Sequence, residues 1–231
     1  MYSTGYNNQG YFQTNYVGYK TLSDLQSLID AVMVITNRRD LLEETKQAIF
    51  KATLKEHTAI DYPSDLVTSA PIELDNSGTN SKYHLDLNSL GLNGYLRKIK
   101  MIGEVVQVEL NAFNTYQGYW GQINLQELAP NNLFDNYNIE NQNYYFRQGN
   151  NINVAAMRPI QLLAIMYYQL PTIKESEYSS WIADRYPYII YEHAAADIFQ
   201  TVGKRDEFTI YRSKIPDNRL DVIKAEISTI G

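Results

Sequence analysis

The spacing of apolar residues changes twice along this 231-residue chain, and this change constrains the fold more than any other feature. Before Pro63 and after Pro171 apolar residues recur at helical steps, whereas between these prolines they follow the period of two typical of strands. The run "IQLLAIMYYQL" hardly alternates, which predicts a strand buried on both faces. Together the pattern predicts an α+β protein: a helical bundle from both chain ends with an inserted antiparallel β domain.

Four segments follow from this reading. Residues 1–20 repeat Tyr, Asn, Gly and Gln with few aliphatic residues, which predicts a flexible arm. Residues 21–63 predict a helical hairpin, 64–172 a β-rich insertion, and 173–231 two further helices that complete the bundle. Pro216 lies inside the last of these helices, so we expect a kink or a break there.

Composition removes several classes of function. The chain has no cysteine, which excludes disulfides, thiolate catalysis and cysteine-ligated metals. Its formal net charge is -6 and its Lys and Arg residues are scattered, so the sequence predicts no adhesive duplex-DNA surface. No signal-peptide pattern and no run of about 18 apolar residues is present, so we expect a soluble, unsecreted protein without a membrane partner.

The three histidines do not form a recognisable catalytic or metal-binding pattern. His57 and Asp61 lie four apart near the end of the second predicted helix, a spacing that could orient an imidazole for base catalysis. The alternative is a histidine favoured by the helix dipole, and no G-x-S-x-G motif supplies a nucleophile. His84 lies in an alternating strand, and His193 borders an apolar stripe, which favours a hydrogen-bonded structural role. We therefore predict no enzyme activity, no cofactor and no metal.

Neutral aromatic residues indicate interfaces. The chain has 20 Tyr against 7 Phe, and such residues suit protein–protein contacts. The Asn-rich and Tyr-rich loops around Trp120 favour a subunit interface, with sugar binding by stacking as the alternative. The candidate interface residues come from the arm, the β-rich segment and the last two predicted helices: Tyr6, Tyr11, Tyr16, Trp120, Trp181, Leu220, Ile223 and Ile227.

Two segments resemble a known family. "SSWIADRYPYIIYEHAAADIFQTVGKRDE" is similar to the late signature of the head-to-tail adaptor proteins of short-tailed bacteriophages, the tail-tubular A or connector-ring family. "ETKQAIFKATLKEHTAIDYPSDLV" resembles an early signature of the same family. The resemblance covers roughly residues 22–227, and the abundance of Asn and Tyr points to a crAss-like phage.

This resemblance implies a structural virion protein. Members of the family form a ring, usually of twelve copies, between the portal protein and the tail, where they extend the DNA channel and seat other tail or ring proteins. The expected location is the neck or tail of the virion, and the host cytoplasm during assembly. Genomic DNA would pass through without sequence-specific binding, in keeping with the acidic charge balance. The alternatives are a carbohydrate-binding tail module and a hydrolase.

Overall fold

The structure, a computed structural model, describes residues 11–14, 25–74, 82–110, 116–128 and 142–228. The described chain divides into two compact units. The helical unit contains the described residues up to Asp65 and those from Leu170 onward, and the sheet unit contains Leu66–Gln169 with the strand at 11–14. The predicted arm lies outside the described residues apart from that strand. The boundaries of the four predicted segments stay a prediction.

Five helices make up the helical unit within the described residues. They are α1 (Leu25–Thr36), α2 (Leu42–Ala59), α3 (Trp181–Arg185), α4 (Pro187–Thr201) and α5 (Arg205–Ser228). The turn between α1 and α2 passes through Asn37 at φ 53°, a conformation that Asn adopts more readily than most residues. The hairpin expected from residues 21–63 therefore forms two successive helices with a short connection.

The segment after residue 173 contains three helices rather than the two predicted. Pro187 has no N–H to donate, so it begins α4, while α3 ends at Arg185 and Tyr186 lies between the two helices. At the other end of α4, Gly203 adopts φ 77°, and the N–H of Lys204 donates to the carbonyl of Phe199 at 2.9 Å. This left-handed glycine ends the helix and turns the chain into α5.

α4 is the central element of the helical unit. Its three consecutive alanines, Ala194, Ala195 and Ala196, are fully buried, and their small side chains allow other elements to approach closely. Helices α1, α2 and α5 each pack mainly against α4. The core consists of aliphatic and aromatic residues of these elements, among them Leu28, Ile29, Val32, Ile49, Tyr62, Trp181, Ile182, Ile190, Ile198 and Val222.

Among the described residues, the sheet unit contains eight strands in one curled sheet and a further strand at 11–14. In chain order they are β1 (Tyr11–Thr14), β2 (Leu66–Thr68), β3 (Ile72–Glu73), β4 (Lys82–Asp86), β5 (Leu96–Leu110), β6 (Tyr116–Glu127), β7 (Tyr144–Gln148), β8 (Asn151–Ala155) and β9 (Leu162–Gln169). The spatial order is β2-β9-β5-β6-β7-β8-β4, with β3 paired to β9 and β1 paired to β6.

Irregular pairing explains the curl of the sheet. The register of β5 shifts against both of its neighbours, β6 and β9, and such bulges bend a strand and increase its twist. β9 lies next to β5 and is buried from Leu163 to Tyr168, which confirms the strand predicted from its uniform apolar run. Strands β6 and β7 are parallel, with Gln126 opposite Tyr144.

The predicted fold class is wrong in its architecture. The inserted sheet is mixed rather than antiparallel because β6 and β7 run in the same direction. The helices are not a bundle built from both chain ends: α3 is only five residues long, and the longer helices are arranged around α4. Apolar periodicity reports which face of a helix is buried, but not which other helices cover that face. The described part of the chain is α+β, with five helices and a curled mixed sheet.

Pro216 does not break the last helix. α5 runs without interruption from Arg205 to Ser228 with Pro216 inside it, so the expected break does not occur. Pro216 is exposed, and its ring therefore meets solvent rather than the core. Proline has no N–H, so α5 lacks the one backbone hydrogen bond that the carbonyl of Arg212 would otherwise accept.

Replacing Pro216 should therefore stabilise the protein. We expect Pro216→Ala to raise the free energy of unfolding by about 1–2 kcal/mol, since the gain in helix propensity exceeds the lost restriction of the unfolded chain. Urea denaturation followed by circular dichroism measures this change. Asp217→Ala, at the neighbouring exposed position, is the control and should change stability by less than about 0.5 kcal/mol. A destabilised Pro216→Ala variant would contradict this account of α5.

Candidate functional site

Two ionisable residues lie side by side in the core of the helical unit. Glu56 and His57, on the last turns of α2, are 0% and 1% exposed. Adjacent residues on a helix point about 100° apart, so each faces a different neighbour. Buried polar and charged groups require hydrogen-bonding partners. The structure provides a separate set of partners for each residue.

His57 belongs to a buried chain of hydrogen bonds. Its Nδ1 lies 2.7 Å from Oδ1 of Asp65, and its Nε2 lies 2.9 Å from Oγ of Ser180. The same Asp65 oxygen accepts the indole N–H of Trp181 at 2.6 Å. We call these four residues, Asp65, His57, Ser180 and Trp181, the Asp65 array. A short 3-10 turn at Pro63–Asp65 and the start of α3 bring them together.

One arrangement of protons is compatible with every hydrogen bond of the Asp65 array. The Asp65 carboxylate accepts hydrogen bonds, so Nδ1 of His57 carries the proton between them. With the imidazole neutral, Nε2 accepts a hydrogen bond from the hydroxyl of Ser180. The Ser180 oxygen in turn accepts the backbone N–H of Ala183 at 3.2 Å, as the cap of α3. Every contact from carboxylate to helix cap runs in one consistent donor-to-acceptor order.

This order matches that of a Ser-His-Asp catalytic triad, but the surroundings do not suit a nucleophile. Ser180 is only 2% exposed, and its oxygen already serves as a helix cap. The Trp181 ring packs edge-on against both the His57 ring at 5.7 Å and the Tyr62 ring at 5.3 Å. A substrate carbonyl has no direct approach to Ser180, so the array is suited to packing rather than acyl transfer.

The partner of His57 differs from the one that the sequence suggested. Asp61 lies four residues after His57 and is exposed, whereas Asp65 lies eight residues after it and is buried. The chain leaves the helix at Ala59, so the spacing of an ideal helix no longer applies beyond that point. The 3-10 turn then brings Asp65 back against the His57 ring.

Glu56 forms the second buried group. Its Oε1 lies 2.6 Å from Nδ1 of His193 on α4. Arg219 of α5 binds both of its oxygens, with Nε 2.6 Å from Oε2 and Nη2 2.9 Å from Oε1. We call Glu56, His193 and Arg219 the Glu56 cluster. His193 is 1% exposed, which confirms the prediction of a hydrogen-bonded structural histidine.

Opposing effects set the charge of Glu56. Burial disfavours the carboxylate, but the hydrogen bonds from His193 and Arg219 and their electrostatic attraction outweigh it and lower the pKa of Glu56. A buried carboxylate with a bidentate arginine is a strong, directional contact. The cluster therefore fixes α2, α4 and α5 relative to one another.

A further carboxylate extends this polar system. Glu226 on α5 is 2% exposed and accepts hydrogen bonds from Arg185 of α3, at 3.1 Å, and from the hydroxyl of Ser64. Within the helical unit, the last turn of α2 and the turn after it are thus joined by polar contacts to each of the three later helices. Loss of one partner of such a buried pair costs about 3–5 kcal/mol.

The predicted interface residues occupy different environments. Trp181 is 7% exposed and belongs to the core. On α5, Leu220 and Ile227 are 48% and 64% exposed, while Ile223 is half-buried against the helical core. Trp120 is half-buried in the sheet unit, where it packs against Val105 and Ala164. Of Tyr11 the structure describes only the backbone, in β1, and Tyr6 and Tyr16 lie outside the described residues.

His84 contacts neither the Asp65 array nor the Glu56 cluster. Its Nδ1 lies 2.7 Å from Oδ1 of Asn153 on the adjacent strand β8. Among the described residues, no group of three or more His, Asp and Glu side chains is placed to hold a metal ion. None of the helices in the described ranges has the length and apolarity that crossing a bilayer requires.

Comparison with known proteins gives no family assignment. No protein-family model matches this chain, and no curated protein matches it.

The Asp65 array leads to a stability prediction. Asp65→Asn removes the charge that orients His57 and Trp181 and should lower the free energy of unfolding by about 2–4 kcal/mol. Asp61→Asn, in the same segment but exposed, should change it by less than about 0.5 kcal/mol. Urea denaturation at pH 7 compares the two variants. Equal effects would show that the buried carboxylate has no special role.

The Glu56 cluster leads to a pH prediction. The folded state lowers the pKa of Glu56 below its ordinary value of 4.5, so the carboxylate stabilises the fold above that pH and loses its effect as the pH falls through the folded value. We expect Glu56→Gln to destabilise the protein by about 2–4 kcal/mol at pH 7. The difference should shrink below about pH 4.5 in urea denaturation measured from pH 7 to 3.

Glu44→Gln is the matched control because Glu44 is exposed on the same helix. It should follow the wild type across the whole pH range. A difference between wild type and Glu56→Gln that stays constant down to pH 3 would contradict the assignment of an ionised, stabilising Glu56.

Proposed function

We propose that this chain is a structural virion protein, a ring-forming adaptor that joins the portal to the tail of a short-tailed phage. One observation carries the proposal: the two segments that resemble the adaptor family meet in the fold. Asp65 of the early segment binds Trp181 of the late one, and Glu56 binds His193. Two motifs more than a hundred residues apart in sequence thus contact each other in the core of the helical unit.

The role of the motif residues favours structure over catalysis. In the late motif, Ser180 caps α3, Trp181 binds a buried carboxylate, and the alanines of α4 allow close packing. Residues that a catalytic site would expose to substrate are here buried among helices. A protein whose most distinctive sequence motif builds its core is suited to assembly, where rigidity matters more than an open cleft.

The last helix provides a candidate contact surface. Leu220 and Ile227 lie seven residues apart, two helical turns, and so project from the same side of α5. Both are exposed, so this side of α5 offers apolar area that a partner could bury. We assign this pair to contacts within the virion neck, either between ring copies or with the portal protein.

The proposed ring surrounds the path of the genome. Its partners are other copies of the chain, twelve in the family that it resembles, the portal protein, and other tail or ring proteins. An acidic chain, with a net charge of -6, suits a channel along which DNA slides, because like charges prevent adhesion. No sequence-specific contact with DNA is required.

Electron microscopy of the purified protein mixed with the portal protein of the same virus tests the proposal. We expect closed rings stacked coaxially on the portal. Leu220→Asp should weaken this association roughly tenfold or more, as expected of an apolar residue at an interface centre. Ser213→Asp, exposed on the same helix, should leave it unchanged. A protein that stays monomeric and does not bind portal would contradict the proposal.

A hydrolase is the second candidate because the Asp65 array has the order of a catalytic triad. A fluorophosphonate probe distinguishes the two functions, since it labels only an activated and accessible serine. We expect no labelling of Ser180 in the folded protein. Labelling that is lost in His57→Gln, with the fold retained, would favour the hydrolase.

A further inference from the structure

Two cationic side chains converge on one atom of the Glu56 cluster. Nζ of Lys55 on α2 lies 3.3 Å from Nε2 of His193, and Nη1 of Arg212 on α5 lies 3.2 Å from the same nitrogen. Lysine and arginine are donors only. Nε2 must therefore act as an acceptor for both of them.

One imidazole nitrogen cannot satisfy two such donors. Nδ1 of His193 faces the Glu56 carboxylate at 2.6 Å and so carries the ring proton, which leaves Nε2 with one lone pair. Lys55 and Arg212 share that lone pair at 3.3 and 3.2 Å, at the long end of hydrogen-bond distances. The arrangement leaves hydrogen-bonding capacity on both cations.

Nearby carboxylates do not neutralise this pair. Asp197 binds Lys51 at 2.8 Å, and Glu56 is taken by Arg219 and His193. Within the part of the chain that the structure describes, neither Lys55 nor Arg212 forms an ion pair with a carboxylate. Burial, together with the positive charges of Arg212, Lys51 and Arg219, lowers the pKa of Lys55, against the attraction of Asp197. The site has an excess of positive charge.

We propose that Lys55 and Arg212 form a binding site for a phosphate group at the junction of α2, α4 and α5. A phosphate offers several strong acceptor oxygens, so it can accept from the lysine and from the planar fork of the arginine at once. Its negative charge offsets the two unpaired positive charges, and it relieves their competition for His193. The site lies within the helical unit and does not depend on the proposed ring.

The phosphate group can come from free phosphate or from a nucleic-acid backbone. Thermal denaturation at pH 7 tests both sources, with inorganic phosphate in one arm, a short oligothymidylate in the second, and sodium chloride at matched ionic strength as reference. At a ligand concentration of roughly ten times Kd, the unfolding midpoint should rise by about 3–5 °C above the chloride reference. The arm that gives the rise identifies the source.

Variants locate the site. Arg212→Gln and Lys55→Gln should each abolish the rise, because either change removes one of the two converging charges. Lys224→Gln is the matched control: Lys224 lies on the same helix α5 and its side chain is 66% exposed, so the rise should persist. No rise in either arm, or a full rise in Arg212→Gln, would overturn the proposal.

A spectroscopic measurement on the wild type tests the proposal even if the variants are unstable. Nitrogen NMR of the His193 ring reports directly on Nε2. If phosphate or the oligonucleotide draws Lys55 and Arg212 away, the Nε2 resonance should shift during the titration and saturate, while chloride leaves it in place. A resonance that does not respond to either ligand would overturn the proposal regardless of the variants.

Discussion

The helical unit depends on one carboxylate oxygen. Oδ1 of Asp65 accepts from the His57 imidazole at 2.7 Å and from the Trp181 indole at 2.6 Å. These donors come from chain segments that Leu66–Gln169 of the sheet unit separates in sequence. Burial of a carboxylate is unfavourable unless donors replace its water, so correct placement of both segments lowers the cost of burying Asp65. This requirement makes the array a determinant of specific packing.

The Glu56 cluster applies the same physics on the next residue of α2. Glu56 meets α4 through His193 and α5 through Arg219, while His57 meets α3 through Ser180. Apolar contacts alone permit a helix to slide or rotate among similar packings, whereas hydrogen bonds of fixed direction do not. Two adjacent residues therefore position three later helices. Residues of the motif that resembles a phage adaptor signature thus hold the helices of the core in place.

Local features of the fold could be predicted from the sequence, and long-range ones could not. The periodicity of α1 and the apolar run of β9 gave the correct element types, because both signals depend on residues close in sequence. The parallel pairing of β6 with β7 and the arrangement around α4 depend on contacts between distant segments. Pro216 misled because its ring faces solvent and α5 continues through it, although a proline inside a helix usually kinks or breaks it.

The candidate site shows the same division. His193 could be assigned a structural role from its position on an apolar stripe, but its partner Glu56 lies on another helix. The sequence suggested Asp61 as the partner of His57, because sequence spacing indicates only contacts between residues that are close in sequence. Asp65 and Ser180 were not identified as site residues, although Ser180 stands at a helix start, where a capping serine is expected.

A double-mutant cycle between Asp65 and Trp181 tests most directly whether the two motif segments are energetically coupled in the core. The cycle uses Asp65→Asn, Trp181→Phe and the double variant, with the free energy of unfolding from urea denaturation. If the segments are coupled through the Asp65 array, the double variant should lose less stability than the sum of the single variants, by about 1 kcal/mol or more. Additive effects would show that the two segments are stabilised independently and would contradict the account.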